Sequence, residues 1–110
     1  MNIQIFGKSK CFDTKKAERW FKERRIKFQM VDVIKFGMSR GELKSVISAV
    51  GLDQLVDEHA DGAELLRYLA YAEAKEEMLL DNQQLLNTPI VRNGRKATVG
   101  YKPEVWSEWD

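Results

Sequence analysis

Residues 7–20 read GKSKCFDTKKAERW. If this stretch is the turn from a strand into a helix, the rest of the chain falls into one plan, with a single cysteine at the helix start. Just before it, NIQIF (2–6) alternates polar and apolar residues and puts Ile3 and Ile5 on one face, the period of a strand. Gly7 and Ser9 break that alternation. From about Asp13 to Arg25, Ala17, Trp20 and Phe21 recur at helical spacing as an apolar stripe. KFQMVDVI (27–34) then returns to strand character through Phe28, Met30, Val31 and Val33. A strand, helix, strand unit this short predicts a right-handed crossover between two parallel strands.

The middle of the chain reads as helical. Ser39 and Glu42 have the capping-box spacing, and Leu43, Val46, Ile47 and Val50 form an apolar face that stops at Gly51. A second helical piece is expected over Leu52 to His59. A longer helix is expected from about Asp61 to Glu77, its turns marked by Leu65, Leu66, Leu69, Ala72 and Glu73. DNQQLLN (81–87) suggests one more short helix. TPIVRNGRKATVGY (88–101) reads as a β-hairpin with an Asn93-Gly94 turn between Ile90-Val91 and Thr98-Val99. In KPEVWSEWD (102–110), Pro103 opens a short closing helix that carries Trp106. Taking about 39–86 as a helical insertion leaves a core of about 1–36 and 87–110. The expected fold is α/β, a thioredoxin- or glutaredoxin-like mixed sheet with flanking helices, in one domain over 1–110.

Composition narrows the function classes. The 110 residues are 44% hydrophobic and 32% charged, ordinary for one globular domain with a modest core. Eighteen basic and seventeen acidic residues leave a formal charge of +1, which argues against direct nucleic-acid or anionic-membrane binding. No apolar run is long enough for a transmembrane helix, and the N-terminus has no signal-peptide pattern. One cysteine forbids an internal disulfide, and a reducing cytoplasm is the expected compartment. His59 with Asp57 and Asp61 reads as a surface helix end rather than a metal site. Arg92 and Arg95 flank the hairpin turn. KERRIK (22–27) complements the dipole at the end of the first helix, and Trp20, Phe21, Trp106 and Trp109 read as core.

The chemistry centres on Cys11. At or just before a helix N-terminus, unpaired backbone N–H groups favour a negative charge and lower a thiol's pKa. Thr14 is close enough in sequence to donate to the sulfur, and Lys8, Lys10, Lys15 and Lys16 add positive charge that Asp13 partly opposes. A thiolate is the nucleophilic form, which suits covalent or redox chemistry. The competing reading makes Cys11 a small buried filler beside a solvated lysine face, and these residues alone leave both open. Pro89 opens the strand after the helical block. In the thioredoxin-like plan a proline there has a cis peptide bond and lies against the reactive cysteine.

CFDTKKAERWFKERRI (11–26), VDVIK (31–35), the helical block, LLNTPIV (85–91) and TVGYKPEVW (98–106) together resemble the arsenate reductase (ArsC)/Spx family over essentially the whole chain. Cys11, Lys15, Lys16, Ala17, Pro89, Val99, Gly100 and Tyr101 carry the resemblance. It implies a catalytic Cys11 with Lys15 as the basic residue beyond it, and Thr14, Thr88 and Pro89 forming the thiolate and substrate surroundings. Two departures accompany it. Thr14 stands where Spx-type redox switches have a second cysteine. Thr88 stands where the arsenate reductases place an oxyanion-clamping arginine before the proline; no arginine accompanies Tyr101 and Lys102, and neither Arg40 nor Arg67 is assignable to the third. The leading expectation is a thiol oxidoreductase working through mixed disulfides. It binds no cofactor or metal, and glutathione, glutaredoxin or thioredoxin would supply the second thiol. The alternative is an Spx-like regulatory module that binds RNA polymerase or another protein, with Gly51 and the helical insertion in its recognition surface. Arsenate reduction itself ranks third.

Overall fold

The computed structural model describes residues 1–109. Strand β1 (Ile3–Gly7) leads into helix α1 (Phe12–Glu23) and strand β2 (Phe28–Asp32). Helix α2 (Arg40–Val50), two 3₁₀ turns, helix α3 (Ala72–Asp81) and a third 3₁₀ turn follow. The chain then forms the hairpin β3 (Ile90–Asn93) and β4 (Lys96–Val99) and a short helix α4 (Pro103–Trp106). The sheet order is β2-β1-β3-β4. β1 and β2 are parallel, as the crossover demands, and β3 and β4 add antiparallel. This is the mixed, thioredoxin-like sheet expected from the element order.

Alternation along the strands gives the sheet a core on each face. Ile3, Ile5 and Val91 pack against Ala17, Trp20 and Phe21 of α1 and Trp106 and Trp109. Phe6 and Ile90 point the other way, into a core built with Leu43 and Val46 of α2 and with Leu55, Leu66, Leu79, Leu85 and Leu86. Local chemistry sets the helix ends. Ser39 accepts from the Glu42 N–H at 3.2 Å while the Glu42 carboxylate accepts from the Ser39 N–H at 2.9 Å, the reciprocal box that fixes the start of α2. At the end of α1, the Ile26 N–H reaches the Phe21 carbonyl and the Arg25 N–H reaches Lys22, with Arg25 at φ 58°. That is a Schellman turn, and Ile26 packs back into the α1 core.

Three local expectations need correction. The single helix expected from Asp61 to Glu77 is two pieces, a 3₁₀ turn over Ala63–Tyr68 and α3 beginning at Ala72. Leu69 between them is extended (φ −88°, ψ 124°), and the break lets Leu66 and Leu79 enter the same core. The helix expected over Leu52 to His59 shrinks to a 3₁₀ turn at Asp53–Leu55, because Val56 leaves it extended to bridge Leu86. In the hairpin, Asn93 is still paired with Lys96, so Gly94 and Arg95 make the turn rather than Asn93 and Gly94. Gly94 takes φ 61°, the positive value that the first position of a II′ turn requires.

Candidate functional site around Cys11

The β1–α1 loop delivers the cysteine. Its N–H donates to the Lys8 carbonyl at 3.0 Å, which folds residues 8–11 into a tight turn. Cys11 then takes the N-cap position of α1 with extended dihedrals (φ −87°, ψ 118°). Its thiol is half-buried and donates to the Thr88 carbonyl at 3.5 Å. Thr88 precedes Pro89, and the bond between them is cis, as expected. Residues far apart in sequence, Cys11, Thr14, Thr88 and Pro89, thus meet at one end of the sheet.

Thr14 is the buried member, 2% exposed in the first turn of α1. Its hydroxyl oxygen accepts from the Lys8 N–H at 3.4 Å. Burial pushes the Cys11 pKa up, as loss of solvent does for any group that must become an anion. Hydrogen bonding from the hydroxyls of Thr14 and Thr88 and from the backbone of Thr14 and Asp13 outweighs it, so the thiol titrates below its ordinary value. The two backbone donors are those expected of a helix start, which leaves its first N–H groups free.

The lysines play other parts. Lys8 donates its ammonium to the Gln84 carbonyl at 2.8 Å, which straps the cysteine loop to the segment before Pro89. Lys16 lies 4.0 Å from the Asp13 carboxylate and 5.6 Å from the centre of the Tyr101 ring. Lys15 is exposed; its backbone N–H donates to the Cys11 carbonyl at 3.3 Å, and its ammonium has no partner among the described residues. Arg40 is taken up by a two-pronged pair with Glu77, at 2.6 and 2.9 Å, and Arg92 donates to the Gln4 side chain at 2.8 Å. His59 is exposed, and among the described residues no cluster of His, Cys, Asp and Glu could hold a metal ion. No described helix is long and apolar enough to cross a membrane.

One participant escaped the sequence reading. A Cβ on Gly7 would sit 2.3 Å from Thr14 Cγ2 and 2.8 Å from its hydroxyl, so the absent side chain is what lets Thr14 reach its place. The signal available was a glycine closing a strand, a common mark of close approach.

The family model for the ArsC family matches residues 6–109. Among curated relatives, the uncharacterized protein YusI of Bacillus subtilis is 24% identical, with 98% of each chain covered. The global transcriptional regulator Spx 2 of Oceanobacillus iheyensis is 26% identical over 92% of this chain and 78% of its own. Among solved structures, arsenate reductase from Vibrio cholerae superposes with a TM-score of 0.85 at 20% identity, covering 98% of this chain and 97% of the other. That likeness is one of fold.

Proposed function

Because the chain belongs to the ArsC family, we propose that it is a thiol oxidoreductase in which Cys11 is the nucleophile. The supporting observation is the depressed pKa of a half-buried thiol held among the Thr14 and Thr88 hydroxyls and the first amides of α1. The Cys11 thiolate attacks one sulfur of an external disulfide. A new S–S bond forms to Cys11, and the second sulfur leaves as a thiolate with the electron pair of the broken bond. An external thiolate then attacks this mixed disulfide and releases Cys11. The resolving thiol comes from outside, because Thr14 occupies the place a second cysteine would need. Glutathione fits that role, with glutaredoxin or thioredoxin as protein alternatives, and a reducing cytoplasm is the compartment that keeps them available. In this reading Lys15 lends its unpaired charge to the incoming anion, while Thr88 and Pro89 wall the approach.

The test is the pH dependence of Cys11 alkylation by iodoacetamide. An apparent pKa clearly below the free-thiol value of about 8.5 supports the proposal, and an ordinary titration overturns it. Lys15→Gln should slow mixed-disulfide formation with glutathione disulfide, most at low salt. Arsenate reduction in a glutathione- and glutaredoxin-coupled assay should stay at background. Thr88 offers no guanidinium, and Arg40 is already paired with Glu77.

A second reading is favoured by the relative that carries the name of a transcriptional regulator. There the chain would bind RNA polymerase or another protein without turnover. A pull-down with wild type and Cys11→Ser separates the two. A partner retained equally by both proteins supports the regulator, and trapping that needs the thiol supports the oxidoreductase.

A further inference from the structure

The carboxyl ends of β1 and β2 lie side by side, with Gly7 paired to Asp32 and the Val33 N–H donating to the Gly7 carbonyl at 3.0 Å. In α/β sheets, the crevice outside such strand ends is where ligands bind. Here the two departing loops enclose a groove of about 320 Å³, lined by Lys8 to Lys10 on one side and Asp32, Ile34 and Lys35 on the other. A second hollow of about 330 Å³ continues it past Phe36 towards Leu80 and Gln84, with Ile34 and Lys35 shared between the two. The groove opens from the same loop that carries Cys11.

Two properties set it apart from an ordinary solvated loop pair. Phe36 is 81% exposed and Ile34 is 59% exposed, so two large apolar side chains of the loop after β2 stand in water. Patches of this kind mark interaction sites. The groove is also basic. Lys10 and Lys35 have no acidic partner among the described residues, and the Lys8 ammonium reaches the carbonyl of Gln84, which lines the second hollow. Asp32 is turned onto its own loop, one carboxylate oxygen accepting from the Ile34 and Lys35 N–H groups at 2.8 and 3.2 Å. Asp81 stands only at the far end of the second hollow.

The geometry points to a docking groove for a protein partner that offers an acidic segment with an apolar anchor. Carboxylates of that segment meet Lys10 and Lys35, and its large apolar side chain packs against Ile34 and Phe36. A small anionic thiol would satisfy the lysines and leave Phe36 and Ile34 bare, which favours a polypeptide. Apolar anchors of this type carry most of an interface's affinity, and the charges around them steer the encounter. That the docked partner then meets the Cys11 sulfur rests on the thiol reading above; the docking itself needs no sulfur chemistry.

The test titrates the full chain against a fluorescein-labelled peptide with a Leu-Phe pair flanked by glutamates, and against its twin with lysines in place of the glutamates. The acidic peptide should bind wild type and Cys11→Ser equally. It should bind Phe36→Ser and Lys35→Glu at least about tenfold more weakly, the loss of one anchor contact. The lysine twin should bind weakest of all, and amide shifts should cluster at residues 8–12 and 32–37. Both substituted side chains are exposed, and circular dichroism confirms that the variants fold. Equal binding of the two peptides, shifts elsewhere, or no binding of the acidic peptide overturns the proposal. So does a dimer of this chain that disappears in Phe36→Ser, which would give the patch to a second copy. An ordinary Cys11 titration alongside normal peptide binding would sink the oxidoreductase reading and leave the groove standing.

Discussion

The backbone of Gly7 runs so close to Thr14 that a Cβ at residue 7 would lie 2.3 Å from Thr14 Cγ2. The glycine is in ordinary strand backbone, so the demand is for space and not for an unusual φ. Gly7→Ala must therefore displace the Thr14 side chain and with it the hydroxyl that holds the sulfur. The expected cost is about 1–3 kcal/mol, the usual range for overpacking, together with a rise in the Cys11 pKa. Urea denaturation and an alkylation profile check both. Adding Thr14→Ser, which removes the clashing methyl and keeps the hydroxyl, should recover part of each.

Thr14→Val keeps the shape against Gly7 and deletes the hydroxyl. The Cys11 pKa should rise, and alkylation at neutral pH should slow accordingly. The sign for stability follows from linkage. In the wild type the folded pKa lies below the unfolded one, so the thiolate's contribution is full above about pH 8.5 and is lost as pH falls through the folded value. The urea midpoint of wild type relative to Thr14→Val should therefore grow as pH rises through that window. A difference that is flat with pH would contradict the assigned role of the hydroxyl.

Trp106 donates its indole N–H to the Thr98 hydroxyl at 2.8 Å, and both residues are buried. Thr98→Val leaves the indole donor unpaired in the α1–α4 core, at an expected cost of about 1–3 kcal/mol. Trp106→Phe in the same background should cost less than it does alone, since the donor is gone. Additive losses across that double-mutant cycle would argue against the bond.

Ser39→Ala removes one half of the capping box at α2. A loss of about 1 kcal/mol is expected, read from the urea midpoint, and Ser39→Asp should restore most of it.

Much of this was legible because local chemistry and tertiary need agreed. Ile3, Ile5, Ala17, Trp20 and Phe21 show their periods plainly, and each is buried where its period places it. Ser39 and Glu42 cap a helix whatever surrounds them. The stretch from Ala63 to Ala72 misled because Leu65, Leu66 and Leu69 fit a helical spacing, while the packed chain turns Leu65 outward at 54% exposure and extends Leu69. Periodicity counts apolar residues, but only the partners across the core decide which are used. Around the sulfur, Thr14 was visible from its place in the first turn of α1. The Thr88 carbonyl and the Gly7 clearance were not, because both arise from the approach of segments that sequence distance hides. Lys8 and Lys16 serve Gln84, Asp13 and Tyr101, and the donors that lower the Cys11 pKa are hydroxyls and amides.

The 3.5 Å contact from Cys11 Sγ to the Thr88 carbonyl has a consequence for presentation. A protonated thiol is welcome there, since the carbonyl accepts its hydrogen. Once ionised, the sulfur faces a carbonyl lone pair that cannot donate to it, while the Thr14 and Thr88 hydroxyls and the first amides of α1 hold the charge. Losing the proton therefore does two jobs at once: it makes the sulfur nucleophilic and exchanges the carbonyl it donated to for the hydroxyls and amides it accepts from. Sheathed as a thiol and drawn as a thiolate, Cys11 couples its readiness to react with the set of partners that hold it.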